Sequence, residues 1–151
     1  RDYVLNGGGL LMFGGYLSFQ GINGSARYRR TAVEEVLPVA CEAVDDRIEV
    51  PEGFVASVAA GASHPILSGL GADWPLLLGF NEVKAKPDAE VLATVGSDYG
   101  DLPLLVAGSY GKGRSVAWTS DVGPHWLPGE FIAWEGYGKL FGQMIDWAAG
   151  A

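Results

Sequence analysis

The stretch Gly7-Gly8-Gly9-Leu10-Leu11-Met12-Phe13-Gly14-Gly15 decides the fold class of this chain. Its four apolar residues follow one another without polar alternation, which indicates a parallel strand covered on both faces. Before it, Arg1 to Asn6 is typical of the last turn of a helix, because the glycines supply a left-handed C-cap and a tight turn. Helix, glycine turn and buried strand predict half of a doubly wound α/β unit, and we expect the first strands of the fold to lie upstream of Arg1.

Outward from this strand, turn residues separate a short helix and several further strands. Thr31 is placed to cap a helix over Ala32–Leu37, with Glu34 three residues beyond the cap. Alternating or apolar runs predict strands over Arg47–Val50, which Pro51 ends, Trp74–Val83, Glu90–Val95, Leu104–Ala107 and Ser115–Thr119. The last two strands are joined through Tyr110–Arg114 as a hairpin with a glycine turn, which makes the sheet mixed.

The clearest helix is predicted over Glu130–Ala149. Glycines inside a helix cost about 1 kcal/mol each, so we expect Gly138 and Gly142 to permit close approach to the sheet. One apolar stripe at helical spacing is expected to face the core, and it consists of Phe131, Trp134, Phe141, Ile145 and Ala148.

Composition limits the kinds of partner. The chain has 151 residues, 48% of them hydrophobic, with 23 glycines, one cysteine and a formal net charge of -8. This charge argues against nucleic-acid binding, because the phosphate backbone would be repelled. No apolar run approaches the length of a membrane span, and we expect a soluble, cytoplasmic domain without a membrane partner. Two histidines without metal-ligand spacing predict no metal site, and no cofactor is expected.

Several motifs, taken in order, resemble a known superfamily. They are Gly7–Gly15, His64-Pro65-Ile66-Leu67-Ser68-Gly69-Leu70, Tyr110-Gly111-Lys112-Gly113-Arg114, Ser120-Asp121-Val122-Gly123-Pro124-His125-Trp126 and Trp147-Ala148-Ala149-Gly150. Together they resemble the class I glutamine amidotransferase-like superfamily, in particular its putative glutamine amidotransferase branch related to trehalose-utilisation proteins. The resemblance implies a single domain over residues 1–151, the C-terminal part of a flavodoxin-like, doubly wound fold. That fold has a mostly parallel sheet, with an added β-hairpin and extended insertions.

The resemblance also implies where catalytic residues would stand. Active members carry a cysteine at a sharp elbow after a strand, a histidine after a late strand, and an acid two residues beyond that histidine. Here Gly14 stands where the nucleophile would be, His125 matches the histidine, and Leu127 replaces the acid. A glycine supplies no nucleophile and a leucine cannot orient an imidazole, so thioester glutaminase chemistry is not expected.

The candidate site is nevertheless retained around the elbow and His125. We expect His125 to be an acid/base assisted by Asp121, with a structural histidine that caps the final helix as the alternative. The amides of Gly14, Gly15 and Tyr16 are expected to form a nest for a small anion, in the room left by the missing side chain at Gly14. Tyr16 and Gln20 are the nearby side chains expected to line the crevice, or else exposed loop polar groups.

Other reactive or charged residues favour structural roles. Cys41 is expected to be a packed thiol rather than a displaced nucleophile, and His64 to make local hydrogen bonds in its turn. The arginines in the sequence Arg27-Tyr28-Arg29-Arg30 are expected to form a solvated cluster that pairs with Glu34 and Glu35, with an anion clamp as the alternative.

Two functions follow from these residues. The first is a catalytically degenerate amidotransferase-like module that binds a small ligand or forms a homo-oligomer. The alternative is an enzyme of different, hydrolase-like chemistry that uses His125 in the same crevice, with Asp121 or Glu130 as its partner.

Overall fold

The computed structural model describes residues 1–59 and 63–150. Four α-helices are present within these ranges, α1 (Asp2–Leu5), α2 (Ala32–Val36), α3 (Gly129–Ala133) and α4 (Gly136–Ala149). Nine strands are described, β1 (Gly9–Phe13), β2 (Val39–Cys41), β3 (Arg47–Phe54), β4 (Ser57–Val58), β5 (Leu77–Asn81), β6 (Val83–Ala85), β7 (Glu90–Thr94), β8 (Pro103–Tyr110) and β9 (Gly113–Trp118). Short 3₁₀ turns occupy Ile22–Gly24, Pro65–Leu67 and Ser97–Tyr99.

The main sheet has five strands in the order β1-β9-β8-β7-β4. Only β1 and β9 run parallel, while the β9-β8, β8-β7 and β7-β4 pairs are antiparallel. The prediction of a mostly parallel sheet is therefore wrong for the described residues, because hairpins rather than crossover helices connect β7, β8 and β9. The predicted β8-β9 hairpin is confirmed, and Gly111 takes a φ of +60° in its turn.

The helical turn predicted before β1 is confirmed, but its C-cap is not left-handed, because Asn6 has a φ of -91°. Residues Asp2–Leu5 form a helical turn, and the Gly8 amide donates to the carbonyl of Tyr3 across its end. β1 follows as a strand that is half-buried along its whole length. Thr31 caps α2 as expected, because its hydroxyl accepts from the amides of Val33 and Glu34.

Two small antiparallel ladders lie beside the main sheet, one formed by β2 and β6 and the other by β3 and β5. Pro51 does not end β3 as expected. The β3-β5 register shifts between Glu49 and Phe54, so Pro51 falls in an irregular stretch where its missing N–H breaks no ladder.

Both faces of the main sheet are covered. On one face Leu11 and Phe13 of β1 and Trp118 of β9 pack against α4 in the larger core. On the other face Leu10, Met12 and Ala117 pack in a smaller core, which also contains Phe19, Leu37, Val39, Cys41, Val83 and Val106. The unbroken apolar run of β1 thus divides its side chains between two cores.

The last helical region departs from expectation. The helix over Glu130–Ala149 is interrupted at Trp134, whose ψ of 134° is extended, so α3 and α4 are separate. A side chain at Gly136 would lie 2.1 Å from the Trp134 indole. Glycine is therefore required where α4 begins.

The glycines of α4 do not approach the sheet. Nothing lies within 4 Å of an added Cβ at Gly138 or Gly142, whereas one at Gly9 would lie 2.4 Å from the Ala148 carbonyl oxygen. The close contact between α4 and the sheet is thus made by a glycine of β1. Because the helix is rotated accordingly, its buried positions include Leu140 and Met144, and Ile145 is exposed.

Candidate functional site

The site lies where β1 and β9 end. These strands are parallel, and Phe13 is paired in register with Trp118. Their carboxyl ends therefore meet at one edge of the sheet, which is where ligands bind in open α/β folds. Tyr16 follows β1 and His125 follows β9 at this edge, as predicted.

Asp121 and His125 form the predicted pair. One oxygen of Asp121, Oδ2, lies 3.2 Å from His125 Nδ1 and also accepts the Trp126 amide at 3.0 Å. The Asp121 carbonyl accepts the Trp118 indole N–H at 2.9 Å, which ties this loop to the end of β9. Asp121, four residues before His125, thus orients the imidazole, which Leu127, two residues after it, cannot do.

Tyr16 completes the cluster on the other side of the imidazole. Its hydroxyl lies 3.2 Å from His125 Nε2, and the two rings meet edge to face with centroids 4.7 Å apart. The same hydroxyl donates to Glu49 Oε1 at 2.7 Å. Glu49 comes from β3 and its second oxygen accepts the buried indole N–H of Trp126 at 3.1 Å.

The number of protons in this cluster is constrained by its hydrogen bonds. Carboxylates only accept, and Tyr16 has one proton, which it donates to Glu49. The contacts of His125 with Asp121 and Tyr16 are then both hydrogen bonds only when both ring nitrogens carry protons. The ring lies between Asp121 and Tyr16, and the side chain is 44% exposed.

Arg47 lies beside this chain of hydrogen bonds. Its guanidinium carbon is 5.3 Å from the centre of the Tyr16 ring, and it pairs with Asp45 at 3.2 Å. The hydrogen bond to Glu49, with partial desolvation, raises the pKa of Tyr16 above its ordinary value of 10.0. Tyr16 therefore remains a protonated phenol at neutral pH.

Gly14 is a structural glycine, and the room expected there does not exist. An added Cβ would lie 2.0 Å from the carbonyl oxygen of Thr119 and 2.7 Å from that of Ser120. The backbone that follows β9 thus fills the space of a side chain. No cysteine fits this position without displacing that backbone.

The expected amide nest is largely absent for the same reason. The Gly14 amide donates to the carbonyls of Trp118 and Ser120, both at 2.8 Å, and the Gly15 amide donates to Asn81 Oδ1 at 2.8 Å. Within residues 1–59 and 63–150 the Tyr16 amide donates no hydrogen bond, so one of the three expected donors is available.

Gln20 lies apart from the cluster. Its side-chain nitrogen Nε2 is 3.4 Å from the position of an added Cβ at Gly24. Its buried side-chain oxygen Oε1 has no hydrogen-bond partner among the described residues. In that part of the chain no hydrogen bond joins Gln20 to Tyr16 or His125. Its expected place in the crevice is therefore not supported by a direct contact.

Sequence reasoning did not identify Glu49, Arg47, Asn81 or Asp46. A usable signal existed for the first two, because Arg47 and Glu49 are charged, two residues apart in a strand, and so share one face. Nothing local marks Asp46 or Asn81, which are buried at 1% and 0% exposure.

The structural roles expected for Cys41 and His64 are confirmed. Cys41 is packed in the smaller core, and burial raises the pKa of its thiol to about 12. His64 Nδ1 accepts the Ile66 amide at 3.2 Å, and desolvation lowers the pKa of His64.

The arginine cluster is not paired as expected. Glu34 accepts the backbone amides of Arg30 and Cys41 rather than a guanidinium. Glu35 lies 4.0 Å from Arg1, and no ion pair involves Arg27 or Arg29 within the described ranges.

The described residues hold neither a clustered set of metal ligands nor a membrane-spanning helix. No group of three or more His, Cys, Asp or Glu side chains is arranged to hold a metal ion there. Within the same ranges no helix is both long enough and apolar enough to cross a membrane.

The fold and site define an α/β domain with a histidine at the carboxyl edge of its sheet. Residues 1–150 match the family described as "Putative glutamine amidotransferase" (GATase1_like). The chain belongs to this family.

Solved structures agree with the assignment. The chain is 42% identical to the cytoplasmic protein STM3548 of Salmonella typhimurium, with a TM-score of 0.90 over 97% of this chain and 57% of that one. It is 44% identical to the cytoplasmic protein STM1381 of Salmonella typhimurium LT2, with a TM-score of 0.90 over 97% of this chain and 58% of that one. The chain thus spans less than two thirds of either relative.

A more distant likeness shows the fold alone. A ThuA-like protein from Parabacteroides merdae ATCC 43184 is 18% identical, with a TM-score of 0.61 over 98% of this chain and 62% of that one. No curated protein sequence matches this chain.

Proposed function

We propose that this domain binds a small anionic ligand at the surface formed by Tyr16 and His125, and that its own residues do not perform thioester glutaminase chemistry. The observation that carries the second part is the contact at Gly14, where a Cβ would lie 2.0 Å from the Thr119 carbonyl oxygen. The one thiol of the chain, Cys41, is buried with a pKa of about 12 and so is neither exposed nor a thiolate.

The preference for an anion rests on local donors. Glu49 is hydrogen-bonded through both carboxylate oxygens and Asp121 through Oδ2, whereas the buried Oδ1 of Asp121 has no partner among the described residues. The Tyr16 amide, which donates no hydrogen bond within the described residues, can donate to an anion, and His125 Nε2 can do so when the ligand replaces its contact with Tyr16. The chain carries a net charge of -8, so long-range attraction does not help an anion. Binding therefore depends on these donors.

The test is a pair of titrations on the full chain. NMR spectra are recorded while acetate or inorganic phosphate is added, and ammonia release from glutamine is measured separately. We expect the resonances of Tyr16 and His125 to move with saturation, and no ammonia above background. In His125→Gln the saturable shifts should disappear, while in the control His64→Gln, which alters the other histidine, they should remain.

Two results would contradict the proposal. Saturable shifts of equal size in His125→Gln would place the ligand elsewhere. Ammonia release that depends on His125 would show that glutaminase chemistry occurs with these residues.

A second function is favoured by the chain of hydrogen bonds Asp121–His125–Tyr16–Glu49. A histidine that is oriented by a carboxylate and partly exposed to solvent is a suitable general acid. In this alternative a water attacks the carbonyl carbon of a small ester, the bond to the leaving oxygen breaks, and His125 gives its Nε2 proton to that oxygen. The neutral ring then takes up the proton that the water loses, while Asp121 holds the orientation of the ring. Hydrolysis of p-nitrophenyl esters that is lost in His125→Gln and reduced in Asp121→Asn would favour this enzyme, and unchanged turnover in both variants would exclude it.

Three broader features are part of the proposal. Cytoplasmic location is supported by the names of the two Salmonella relatives. Homo-oligomer formation is supported by exposed apolar side chains such as Leu17 and Ile145, at 71% and 55% exposure. Flavodoxin-like winding of the whole fold is supported by the parallel β1-β9 pair with α4 packed on it.

A further inference from the structure

Asn81, at the end of β5, connects all three segments that carry the site. Its backbone amide donates to the Thr119 carbonyl at 2.8 Å, in the segment that leads to His125. In the β3-β5 ladder it pairs with Arg47, two residues before Glu49. Its side chain reaches the third segment, at Gly15, directly before Tyr16.

The side chain of Asn81 holds Gly15 from both sides. Its Oδ1 accepts the Gly15 amide at 2.8 Å, and its Nδ2 donates to the Gly15 carbonyl at 3.2 Å. The second proton of Nδ2 is donated to Asp46 Oδ1 at 2.7 Å. Because a carboxylate cannot donate, this last contact determines which way the amide of Asn81 points.

Asp46 extends the hold along the same loop. Its Oδ2 accepts the Gln20 amide at 2.7 Å, and its Oδ1 accepts the Gly21 amide at 2.9 Å in addition to Asn81. Burial outweighs these donors and raises the pKa of Asp46. A buried, fully bonded pair of this kind is strongly directional, because losing any one partner leaves a buried polar group unpaired.

The loop held in this way has an unusual backbone. Phe19, Asn23, Arg27 and Arg30 have φ values of 51°, 53°, 63° and 59°, in the left-handed region that residues other than glycine seldom adopt. Phe19 adopts it while completely buried. Such a conformation persists only when the surroundings enforce it. Asp46 does so here, because it accepts the backbone amides of Gln20 and Gly21, which directly follow Phe19.

We infer that Asn81 and Asp46 are positioning residues that place the Tyr16 hydroxyl between His125 and Glu49. The two residues touch no part of the exposed cluster. They fix the peptide that precedes Tyr16 relative to the segments that carry the other two side chains. The inference concerns the geometry of the site and does not depend on which ligand the site binds.

The test uses three variants of the full chain: Asn81→Asp, Asp46→Asn and the double variant that exchanges the two residues. In Asn81→Asp the Gly15 amide keeps an acceptor, but both donated hydrogen bonds are lost and two carboxylates face each other. In the double variant a donor and an acceptor face each other again. Ser115→Ala is the matched control, because it removes another buried hydrogen bond, from Ser115 Oγ to the Val36 carbonyl at 2.6 Å, near the opposite end of β9.

Two readouts separate positioning from general stability. Hydrogen exchange of the Gly15 amide reports the hold itself, and the ring-nitrogen resonances of His125 at one fixed pH report its contact with Tyr16, with His64 as internal reference. In Asn81→Asp we expect Gly15 exchange to accelerate at least about tenfold and the His125 resonances to move toward those of Tyr16→Phe. The exchanged double variant should recover part of both effects, and Ser115→Ala should change neither.

The inference would be overturned if His125 resonances in Asn81→Asp matched those of the wild type while Gly15 exchange accelerated. It would also fail if Ser115→Ala moved the His125 resonances equally, since the effect would then be global. Should Asn81→Asp not fold, Asn81→Ala replaces it with the same two readouts, because alanine removes the three side-chain hydrogen bonds without placing a second carboxylate beside Asp46. In Asp46→Asn both readouts should change less, because the bonds of Asn81 to Gly15 remain and mainly the Gln20 amide is disturbed.

Discussion

Replacing Gly14 by alanine tests the central steric observation at this site. The new Cβ would lie 2.0 Å and 2.5 Å from the carbonyl oxygen and carbon of Thr119 and 2.7 Å from the Ser120 oxygen, all of them backbone atoms. Overpacking of this kind costs about 1 to 3 kcal/mol. Separation of the strands would also weaken the Gly14 amide bonds to Trp118 and Ser120, each worth about 0.5 to 1.5 kcal/mol.

Because the one amide proton of Gly14 is shared between the two carbonyls, its hydrogen bond is counted once, and the sum is a loss of about 1.5 to 4.5 kcal/mol in the free energy of unfolding. Urea denaturation followed by tryptophan fluorescence measures it, and a midpoint decrease of about 1 to 2 M is expected. The matched control is Gly142→Ala, in an α-helix where nothing lies within 4 Å of the added Cβ. This control should gain about 0.5 to 1 kcal/mol from helix propensity.

An unchanged midpoint in Gly14→Ala would refute the steric argument. It would show that the end of β1 has room for a side chain, as the resemblance alone implied. Gly14→Cys would then be a fair test of restored chemistry. With the structure as described, Gly14→Cys is expected to be destabilised and to release no ammonia from glutamine.

Three further predictions concern buried groups and assembly. With a pKa of about 12 against the ordinary 9.0, Cys41 should carry about a thousandfold less thiolate at pH 8 than a free cysteine. Its modification by DTNB should therefore be slow until urea unfolds the chain. Rapid modification of the folded chain would contradict this. Because the folded-state pKa of Asp46 is raised above 3.8, its contribution to stability is complete below that pH and is lost as the pH rises through the folded-state value. The unfolding free energy of the wild type minus that of Asp46→Asn should therefore decrease with rising pH, and an increase would reverse the assigned sign. Light scattering coupled to gel filtration should give a mass above that of one chain, and a monomer at high concentration would exclude the proposed homo-oligomer.

Local signals in the sequence were sufficient for most of the secondary structure. The glycine-flanked apolar run of β1, the Thr31 cap and the glycine turn after Tyr110 each depend on a few neighbouring residues, and each is found as predicted. Of the two errors, the first has a local cause and the second a distant one. The last helix breaks at Trp134, and Pro51 lies inside β3 because the register of that ladder shifts around it.

The candidate site divides in the same way. The pairing of Asp121 with His125 could be predicted because the two residues are close in sequence and follow one strand. The role of Gly14 could not, because the atoms that fill the space beside it belong to Thr119 and Ser120, more than a hundred residues later.

The sequence by itself therefore determined the α/β class, the family, and the presence of Tyr16, Asp121 and His125 at the carboxyl ends of two strands. These conclusions depend on local patterns and on residue types in order along the chain. Only the tertiary structure decided that the elbow has no room for a nucleophile, that Glu49 joins Tyr16, and that Asn81 and Asp46 support the loop. Each of these results depends on contacts between segments far apart in sequence, whose distances are set by how β1, β3, β5 and β9 pack together.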